Sequence, residues 1–182
     1  MFLSDTAIKK ALKNKEIQIS PEVQNEDIRA TGIRIHLGAA LLVPLPDQII
    51  DFRNPKELMY HKINLEKSDF VLEPGQFVLI STLQKIQNSN TLLPILDGRS
   101  TTARCGISIH QTCFACDGMH DRQNSITLEV KNVGNHKVIL YYKMPIGTML
   151  FSRLESKVGQ KSNPQYKNQN DSISPNLKEN AK

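Results

Sequence analysis

The sequence predicts a mainly β protein, a sandwich or barrel of short strands preceded by one short helix. Three observations support this class. The first 14 residues have helical periodicity, later apolar residues alternate with polar ones, and Gly, Pro, Asn or Asp separate the short apolar runs. No helical pattern long enough to connect parallel strands lies between these runs, which favours an all-β arrangement.

The helix is predicted from its cap and its apolar face. Ser4 suits the N-cap, and Asp5 in the first turn complements the helix dipole. Ile8, Ala11 and Leu12 fall on one face. We therefore expect a short amphipathic helix that ends near residue 14.

The strands are predicted from period-two alternation and from short apolar runs. Alternation occurs at residues 17–19 and 33–37. Apolar runs lie at residues 70–72, 77–80, 107–109, 126–130 and 138–142. Turn-forming stretches such as Glu73-Pro74-Gly75 and Asn132-Val133-Gly134-Asn135 separate them.

The chain divides into one β domain, residues 1–154, and a polar tail, residues 155–182. No linker or internal repeat interrupts the first part. Beyond Leu154 the composition shifts to Lys, Asn, Gln and Ser, so the tail has few apolar side chains to bury. We expect it to be disordered or to become ordered only on a ligand.

Composition and charge narrow the function classes. The 182 residues are 39% hydrophobic and 23% charged, with a net charge of +5, as in a soluble globular protein. The basic residues are scattered, so a small anionic ligand is favoured over nucleic acid. No apolar stretch reaches the roughly 18 residues of a spanning helix, and the first residues lack a secretion signal. We expect a cytoplasmic protein with no membrane partner.

Residues 97–129 contain the chemically informative side chains. The run 99–104 reads Arg-Ser-Thr-Thr-Ala-Arg, and a single helical turn there would bring Ser100 and Arg104 to one side. Arginine and hydroxyl groups suit phosphate oxygens. Alternation over 125–131 places Glu129 on the polar face of a strand. These patterns alone are also compatible with a surface turn and a solvated glutamate.

A resemblance to a known family is carried by several of these stretches. The sequence resembles the dCTP deaminase family, relatives of the trimeric dUTPases. The resemblance is carried by the run Leu96-Asp97-Gly98-Arg99-Ser100-Thr101-Thr102-Ala103-Arg104-Cys105-Gly106 and by the later residues His110, Thr112, Asp117 and Leu128-Glu129. Four further stretches are similar to parts of that family: Phe2-Leu3-Ser4-Asp5, residues 70–77, Met144-Pro145-Ile146-Gly147 and Tyr166-Lys167-Asn168-Gln169.

The resemblance implies a dUTPase-like distorted β-barrel or jelly roll, assembled as a homotrimer with sites between subunits. It implies hydrolytic deamination of dCTP to dUTP and ammonia without zinc, with Mg²⁺ accompanying the triphosphate. Glu129 matches the general base, while Ser100 and Arg104 match residues that orient the water and hold this glutamate. Nucleotide contacts are implied for Arg99, Ser100, Thr101, Thr102, Ala103, Arg104, Asp117, Thr127, Leu128 and Gln169.

Asp117 matches the carboxylate that accepts the sugar 3′-hydroxyl, and Gln169 belongs to a segment that closes over the nucleotide. Two stretches differ from the family pattern. After Asp117 the usual Pro-Gly-aromatic is Gly118-Met119-His120, and the early Asp-x-Arg-Leu-Gly reads Arg34-Ile35-His36-Leu37-Gly38. These departures support one alternative, a degenerate deoxynucleotide-binding relative. A dUTPase or bifunctional deaminase and diphosphatase is a further alternative, and the lost Pro-Gly-aromatic turn argues mildly against it.

The cysteines raise the possibility of a metal site. Cys113 and Cys116, flanked by His110 and His120, are ligand types that zinc prefers. The His-x-Glu and Pro-Cys-x-x-Cys elements of zinc nucleobase deaminases are absent. We therefore expect no metal ligands in the chain, free thiols at Cys105, Cys113 and Cys116, and a structural hydrogen-bonding role for His110.

Overall fold

The computed structural model describes residues 1–111, 113–161 and 174–177. It has two helices, α1 (Asp5–Lys13) and α2 (Ser100–Arg104), and a 3-10 turn at Asn25–Asp27. The strands are β1 (Ile17–Ser20), β2 (Ile28–Arg29), β3 (Gly32–Pro44), β4 (Tyr60–Asn64), β5 (Phe70–Leu72), β6 (Phe77–Thr82), β7 (Lys85–Asn88), β8 (Leu92–Gly98), β9 (Ile107–Ser108), β10 (Thr127–Asn132), β11 (Val138–Leu140) and β12 (Pro145–Arg153).

Helix α1 has the predicted cap and apolar face. The Ser4 hydroxyl accepts a hydrogen bond from the backbone N–H of Ala7 at 3.4 Å, and the helix is capped at its other end by Asn14. Ile8 and Ala11 are buried. The helix therefore covers one side of the β structure with the face that the sequence indicates.

An eight-stranded antiparallel sheet forms most of the fold. Its strands follow the order β8-β12-β3-β6-β10-β9, and β2 and β4 also pair with β3. The register of β3 against β6 shifts between Leu37 and Leu41, so the first half of β3 pairs with β12 and the second half with β4 and β6. Such a shift bends a long strand and curves its sheet. The prediction of a mainly β, barrel-like fold with a short N-terminal helix is confirmed.

Strand β10 separates the core from the polar face on which Glu129 lies. Leu128 and Val130 are buried in the core, while Glu129 between them is half-buried on the opposite face. Glu129 is paired with Leu79 of β6 across the sheet. The predicted alternation thus places the carboxylate on a strand whose backbone is paired with β6 at this position.

Helix α2 ends at a tight junction with the loop after β10. Gly106 has a φ of +73°, and a Cβ there would lie 2.6 Å from the backbone nitrogen of Gly134. The backbone N–H of Val133 donates to the Gly106 carbonyl at 2.7 Å, which fixes this approach. The junction therefore requires a residue without a side chain.

We expect Gly106→Ala to lower the free energy of unfolding by about 3 kcal/mol, because the methyl group meets backbone atoms and the φ angle is unfavourable. Gly75→Ala is the matched control, since Gly75 has a φ of +77° but nothing within 4 Å of an added Cβ. It should cost only about 1 kcal/mol. Urea unfolding of both variants measures the difference, and equal losses would contradict the contact argument.

Candidate active site

Glu129 lies in a large cleft between the sheet and the segment that follows β9. The cleft has a volume of about 1330 Å³. Its walls include Tyr60 of β4, Leu79 of β6, Thr127 and Leu128 of β10, and residues of the segment 109–120. A cleft with apolar walls and few polar groups is the usual form of a small-molecule site.

The environment of Glu129 suits a base. Burial raises the pKa of its carboxyl, while a hydrogen bond from its own backbone and the nearby His110 lower it by less. A carboxylate with a raised pKa accepts a proton more readily from a weak acid such as water. The position of Glu129 therefore supports the general-base role that the resemblance implies.

Asp117 reaches the same cleft from an extended segment along β8. The backbone N–H of Leu96 donates to Phe114 and that of Cys116 donates to Pro94, each at 2.9 Å. These bonds fix the segment 113–117 against the sheet, and Asp117 at its end is exposed to the cleft. The structure thus brings together four of the predicted site residues: Asp117, Thr127, Leu128 and Glu129.

The predicted helical turn is present as α2, and its residues other than Thr102 are exposed. Thr102 is buried and donates its hydroxyl to the Arg99 carbonyl at 2.9 Å. The Arg99 guanidinium donates to the Pro145 carbonyl at 2.9 Å. Ser100 and Arg104 are exposed, and neither side chain has a hydrogen bond or an ion pair with another described residue.

Helix α2 does not line the cleft that contains Glu129 within this chain. Thr101 and Ala103 are exposed like Ser100 and Arg104, and none of the six residues from Arg99 to Arg104 belongs to its walls. The single chain therefore keeps the two halves of the predicted site apart. Their meeting in an assembly stays a prediction.

Two resemblance-based predictions lie outside the described residues. These predictions concern Gln169, in the segment that matches the family's closing tail, and Thr112. The beginning of the tail is hydrogen-bonded to the β domain. The backbone N–H of Leu154, at the end of the domain, donates to the Thr91 carbonyl, and that of Val158, in the tail, donates to the Asn90 carbonyl. Lys161 and Pro175 contribute to the cleft wall.

Arg34, which stands where the family motif has an aspartate, has an acidic partner elsewhere in the chain. Asp27, in the 3-10 turn, places Oδ1 3.7 Å from the Arg34 guanidinium and 3.6 Å from His36 Nε2. Gln84 binds the His36 backbone N–H and contacts Nδ1 at 2.9 Å. Burial lowers the pKa of His36, as do Arg34 and Arg99, while Asp27 opposes them. An acidic side chain thus lies beside both basic residues of the altered motif.

The cysteines near the cleft are free thiols. Burial raises the pKa of the Cys116 thiol to about 12, with smaller contributions from Cys113, Asp117 and Glu129. A thiol with so high a pKa stays protonated at neutral pH, as expected for a free, buried cysteine. Among the residues that the structure describes, no group of three or more His, Cys, Asp or Glu side chains could hold a metal ion.

His110 has closer links to Glu129 than the sequence indicated. It lines the cleft, and the neighbouring Gln111 donates from Nε2 to the Glu129 carbonyl at 3.0 Å. His110 Nε2 lies 3.5 Å from Asp97 Oδ1. The sequence analysis gave His110 a structural hydrogen-bonding role, and it did not reveal that the neighbouring Gln111 contacts β10 at Glu129.

Comparison with known proteins agrees with this fold. Residues 2–154 match the dCTP deaminase-like family. The chain is 31% identical to the dCTP deaminase of Haemophilus ducreyi over 195 residues, which covers 98% of this chain and 99% of the relative. It is 35% identical to the "dCTP deaminase, dUMP-forming" of Tropheryma whipplei over 158 residues, 86% of this chain and 80% of the relative.

Among solved structures, the 2′-deoxycytidine 5′-triphosphate deaminase of Agrobacterium tumefaciens shares the fold with a TM-score of 0.65 and 13% identity. The alignment covers 84% of this chain and 48% of that one, so the chain spans about half its length. The fold and the cleft define a mainly β, barrel-like class of protein with one large cleft on its sheet. The family match is specific, and this chain belongs to the dCTP deaminase-like family.

None of the helices in the described ranges has the length and apolar character needed to span a bilayer.

Proposed function

We propose that this protein deaminates dCTP to dUTP and ammonia by hydrolysis, as part of pyrimidine deoxynucleotide metabolism in the cytoplasm. The observation that carries the proposal is the half-buried Glu129, whose pKa is raised by burial, in a cleft with Asp117, Thr127 and Leu128. Membership of the dCTP deaminase-like family supplies the substrate class. Neither observation requires a metal ion bound by the protein.

Glu129 acts as the base for water and then as a proton carrier. Its carboxylate accepts a proton from water while the oxygen bonds to C4 of cytosine, and it delivers that proton to N3. It then accepts the proton of the new C4 hydroxyl and transfers it to the amino group. The C4–N4 bond breaks, and ammonia leaves as the carbonyl of uracil forms. Water is consumed and no electrons are exchanged.

The exposed side chains of α2 complete the site from a neighbouring subunit of a homotrimer. Ser100 and Arg104 are unpaired within the described chain and offer several donors. Such donors suit phosphate oxygens, a bound water or a carboxylate across an interface. Arg99 and the residues Thr101, Thr102 and Ala103 form the rest of the triphosphate-binding turn, and Gln169 closes over the nucleotide in this proposal.

Mg²⁺ enters with the triphosphate as part of the substrate. This ion keeps several waters and is often held through substrate phosphates with few protein ligands. No zinc takes part in the proposed reaction.

A bifunctional enzyme that also hydrolyses dUTP to dUMP is the second candidate. The relative from Tropheryma whipplei is named dUMP-forming, and Asp117 is exposed to the cleft, where it could orient a second water toward the phosphates. A dUTPase without deaminase activity and a degenerate nucleotide-binding relative are further alternatives. The replaced motif acid favoured a degenerate relative, but Asp27 restores an acidic group beside Arg34 and His36.

Parallel incubations with dCTP and with dUTP separate these functions. We expect purified protein incubated with dCTP and Mg²⁺ to release ammonia and dUTP in equal amounts. Equal amounts of ammonia and dUMP would instead identify the bifunctional enzyme. Hydrolysis of dUTP without ammonia release from dCTP would identify a dUTPase, and nucleotide binding with no product would identify the degenerate relative.

A further inference from the structure

His120 connects the altered loop after Asp117 to the first part of the tail. It stands where the family pattern has an aromatic residue, and its side chain lines the cleft and is 13% exposed. Ring atom Nε2 lies 3.1 Å from the Gln160 carbonyl oxygen and 3.3 Å from Asp121 Oδ1. Because both oxygens only accept hydrogen bonds, Nε2 carries the ring proton and donates it to them. The ring thus links the loop to the tail.

The loop that bears His120 is itself fixed to β7. The backbone N–H of Asn88 donates to the Met119 carbonyl at 3.1 Å, and Gln87 Nε2 donates to the His120 carbonyl at 3.3 Å. Strand β7 is in turn paired with β1. The position of the ring is therefore determined by the β structure, and the tail is attached to a fixed point.

The first part of the tail, residues 155–161, follows the turn between β7 and β8. The backbone N–H groups of Leu154 and Val158 donate to carbonyls of that turn at 2.9 and 2.8 Å. The hydrogen bond to the Gln160 carbonyl is the next contact along the chain. Together these contacts lead the tail to the cleft wall, where Val158, Gln160 and Lys161 all lie.

Lys161 comes directly after this attachment. It is the only lysine or arginine among the described residues that line the cleft. The other ionisable residues of that wall are Tyr60, His110, Cys113, Cys116, Asp117, His120 and Glu129. The carboxylates among them repel the phosphates of a nucleotide, whereas the ammonium group of Lys161 attracts them. Within this chain, the phosphates of a nucleotide in the cleft are therefore best placed beside Lys161.

We infer that Lys161 binds the phosphate groups of the nucleotide, and that His120 is the positioning residue that holds Lys161 in the cleft wall. The inference rests on the proposed function, in which Asp117 binds the sugar and Glu129 acts at C4 of the base. Base and sugar then occupy the part of the wall that bears the carboxylates, and the phosphates meet its cation. The altered loop thereby gains a role, because His120 offers the tail a donor that a hydrocarbon ring lacks.

The test for Lys161 compares Lys161→Gln with Lys161→Arg and with a matched control, Lys157→Gln. Lys157 is exposed on the same segment and is not among the residues that line the cleft. Glutamine removes the charge-assisted donor, so we expect Lys161→Gln to raise KM for dCTP about ten-fold with an unchanged kcat. Lys161→Arg keeps the charge and should stay within about two-fold of the unmodified protein, as should Lys157→Gln. Equal KM values for Lys161→Gln and Lys157→Gln would overturn the inference.

The test for His120 compares His120→Phe, which has no donor, with His120→Gln, which keeps one. We expect His120→Phe to raise KM for dCTP about five-fold and His120→Gln to raise it less. When Lys161 is already glutamine, the additional effect of His120→Phe should fall below about two-fold, because both residues act through one contact. An equal effect with and without Lys161, or a loss confined to kcat, would contradict the positioning role.

If His120→Phe does not fold, His120→Asn takes its place in the same comparison. Asparagine keeps a polar group, but its shorter side chain does not reach the Gln160 carbonyl. Calorimetric titration with dCTP measures the same differences as dissociation constants, and Glu129→Gln in every variant prevents turnover during the titration. The order of the dissociation constants should match the order of the KM values.

The two proposals fail in different ways. If the unmodified protein binds dCTP but releases no ammonia, the proposed function fails, while the dissociation constants still support or overturn the roles of Lys161 and His120. If the protein is active but Lys161→Gln and Lys157→Gln bind dCTP equally well, only the further inference fails. A protein that binds no deoxynucleotide would contradict both.

Discussion

Replacement of Glu129 by glutamine is expected to lower kcat for ammonia release from dCTP by about 10³-fold. Glutamine preserves the size of the side chain and the pairing of β10 with Leu79 of β6. It has no carboxylate to accept a proton from water or to deliver one to the leaving amine. The loss therefore falls on the chemical step, and the dissociation constant for dCTP should change little.

Steady-state ammonia release and calorimetric titration with dCTP measure the two quantities separately. Glu26→Gln is the matched control, because Glu26 is an exposed carboxylate in the 3-10 turn. It should retain full turnover. If Glu129→Gln turned over dCTP at the normal rate, the proposed base would be wrong. A loss of nucleotide binding equal to the loss of turnover would indicate a binding role instead.

The sequence predicted most local elements because their signals are local. Ser4, Ile8 and Ala11 specify the start and the buried face of α1. Alternation around Glu129 correctly places Leu128 and Val130 in the core. Each of these predictions depends on side chains only a few positions apart, where periodicity and capping determine the outcome.

Long-range features could not be predicted in this way. The bend in β3 depends on a register shift against β6 between Leu37 and Leu41. The partner of Arg34 is Asp27, and their meeting requires the 3-10 turn to pack beside β3. Neither arrangement leaves a periodic pattern in the sequence, because each is decided by how distant segments pack.

The candidate site likewise contains residues that the sequence identified and contacts that it did not. Family resemblance selected Glu129, Asp117 and the turn from Ser100 to Arg104 as site residues, and the structure places the first two in one cleft. It gives the turn a separate, exposed position. His110 became notable only when its ring was seen between Asp97 and the cleft. A contact across strands or between subunits cannot be deduced from the order of residues alone.

The separation of α2 from Glu129 leads to the second prediction with a large effect. Arg104→Gln should lower kcat/KM for dCTP by about 10²-fold, because the proposed site loses a charge-assisted donor. The Arg104 side chain is exposed and makes no hydrogen bond or ion pair with another described residue, so the substitution should leave the fold unaffected. Arg29→Gln, at another exposed arginine, is the control and should keep full activity.

Mixed assemblies then show whether α2 acts across a subunit interface. Glu129→Gln and Arg104→Gln chains are coexpressed with different tags, and assemblies that contain both chains are purified. In such assemblies some interfaces combine an intact Glu129 from one chain with an intact Arg104 from the other. For random assembly, about a quarter of the interfaces in the whole population are of this kind. Ammonia release should therefore rise far above that of either variant alone.

This recovery depends on geometry, since the two variants restore each other only if one site draws on two chains. If Glu129 and Arg104 of the same chain formed the site, every site in the mixture would lack one of the two groups, and activity would stay at the level of the separate variants. Light scattering on the purified mixture confirms whether three chains are present. Mixed trimers without recovered activity would contradict a site shared between subunits, and would leave α2 without a role in the chemistry at Glu129.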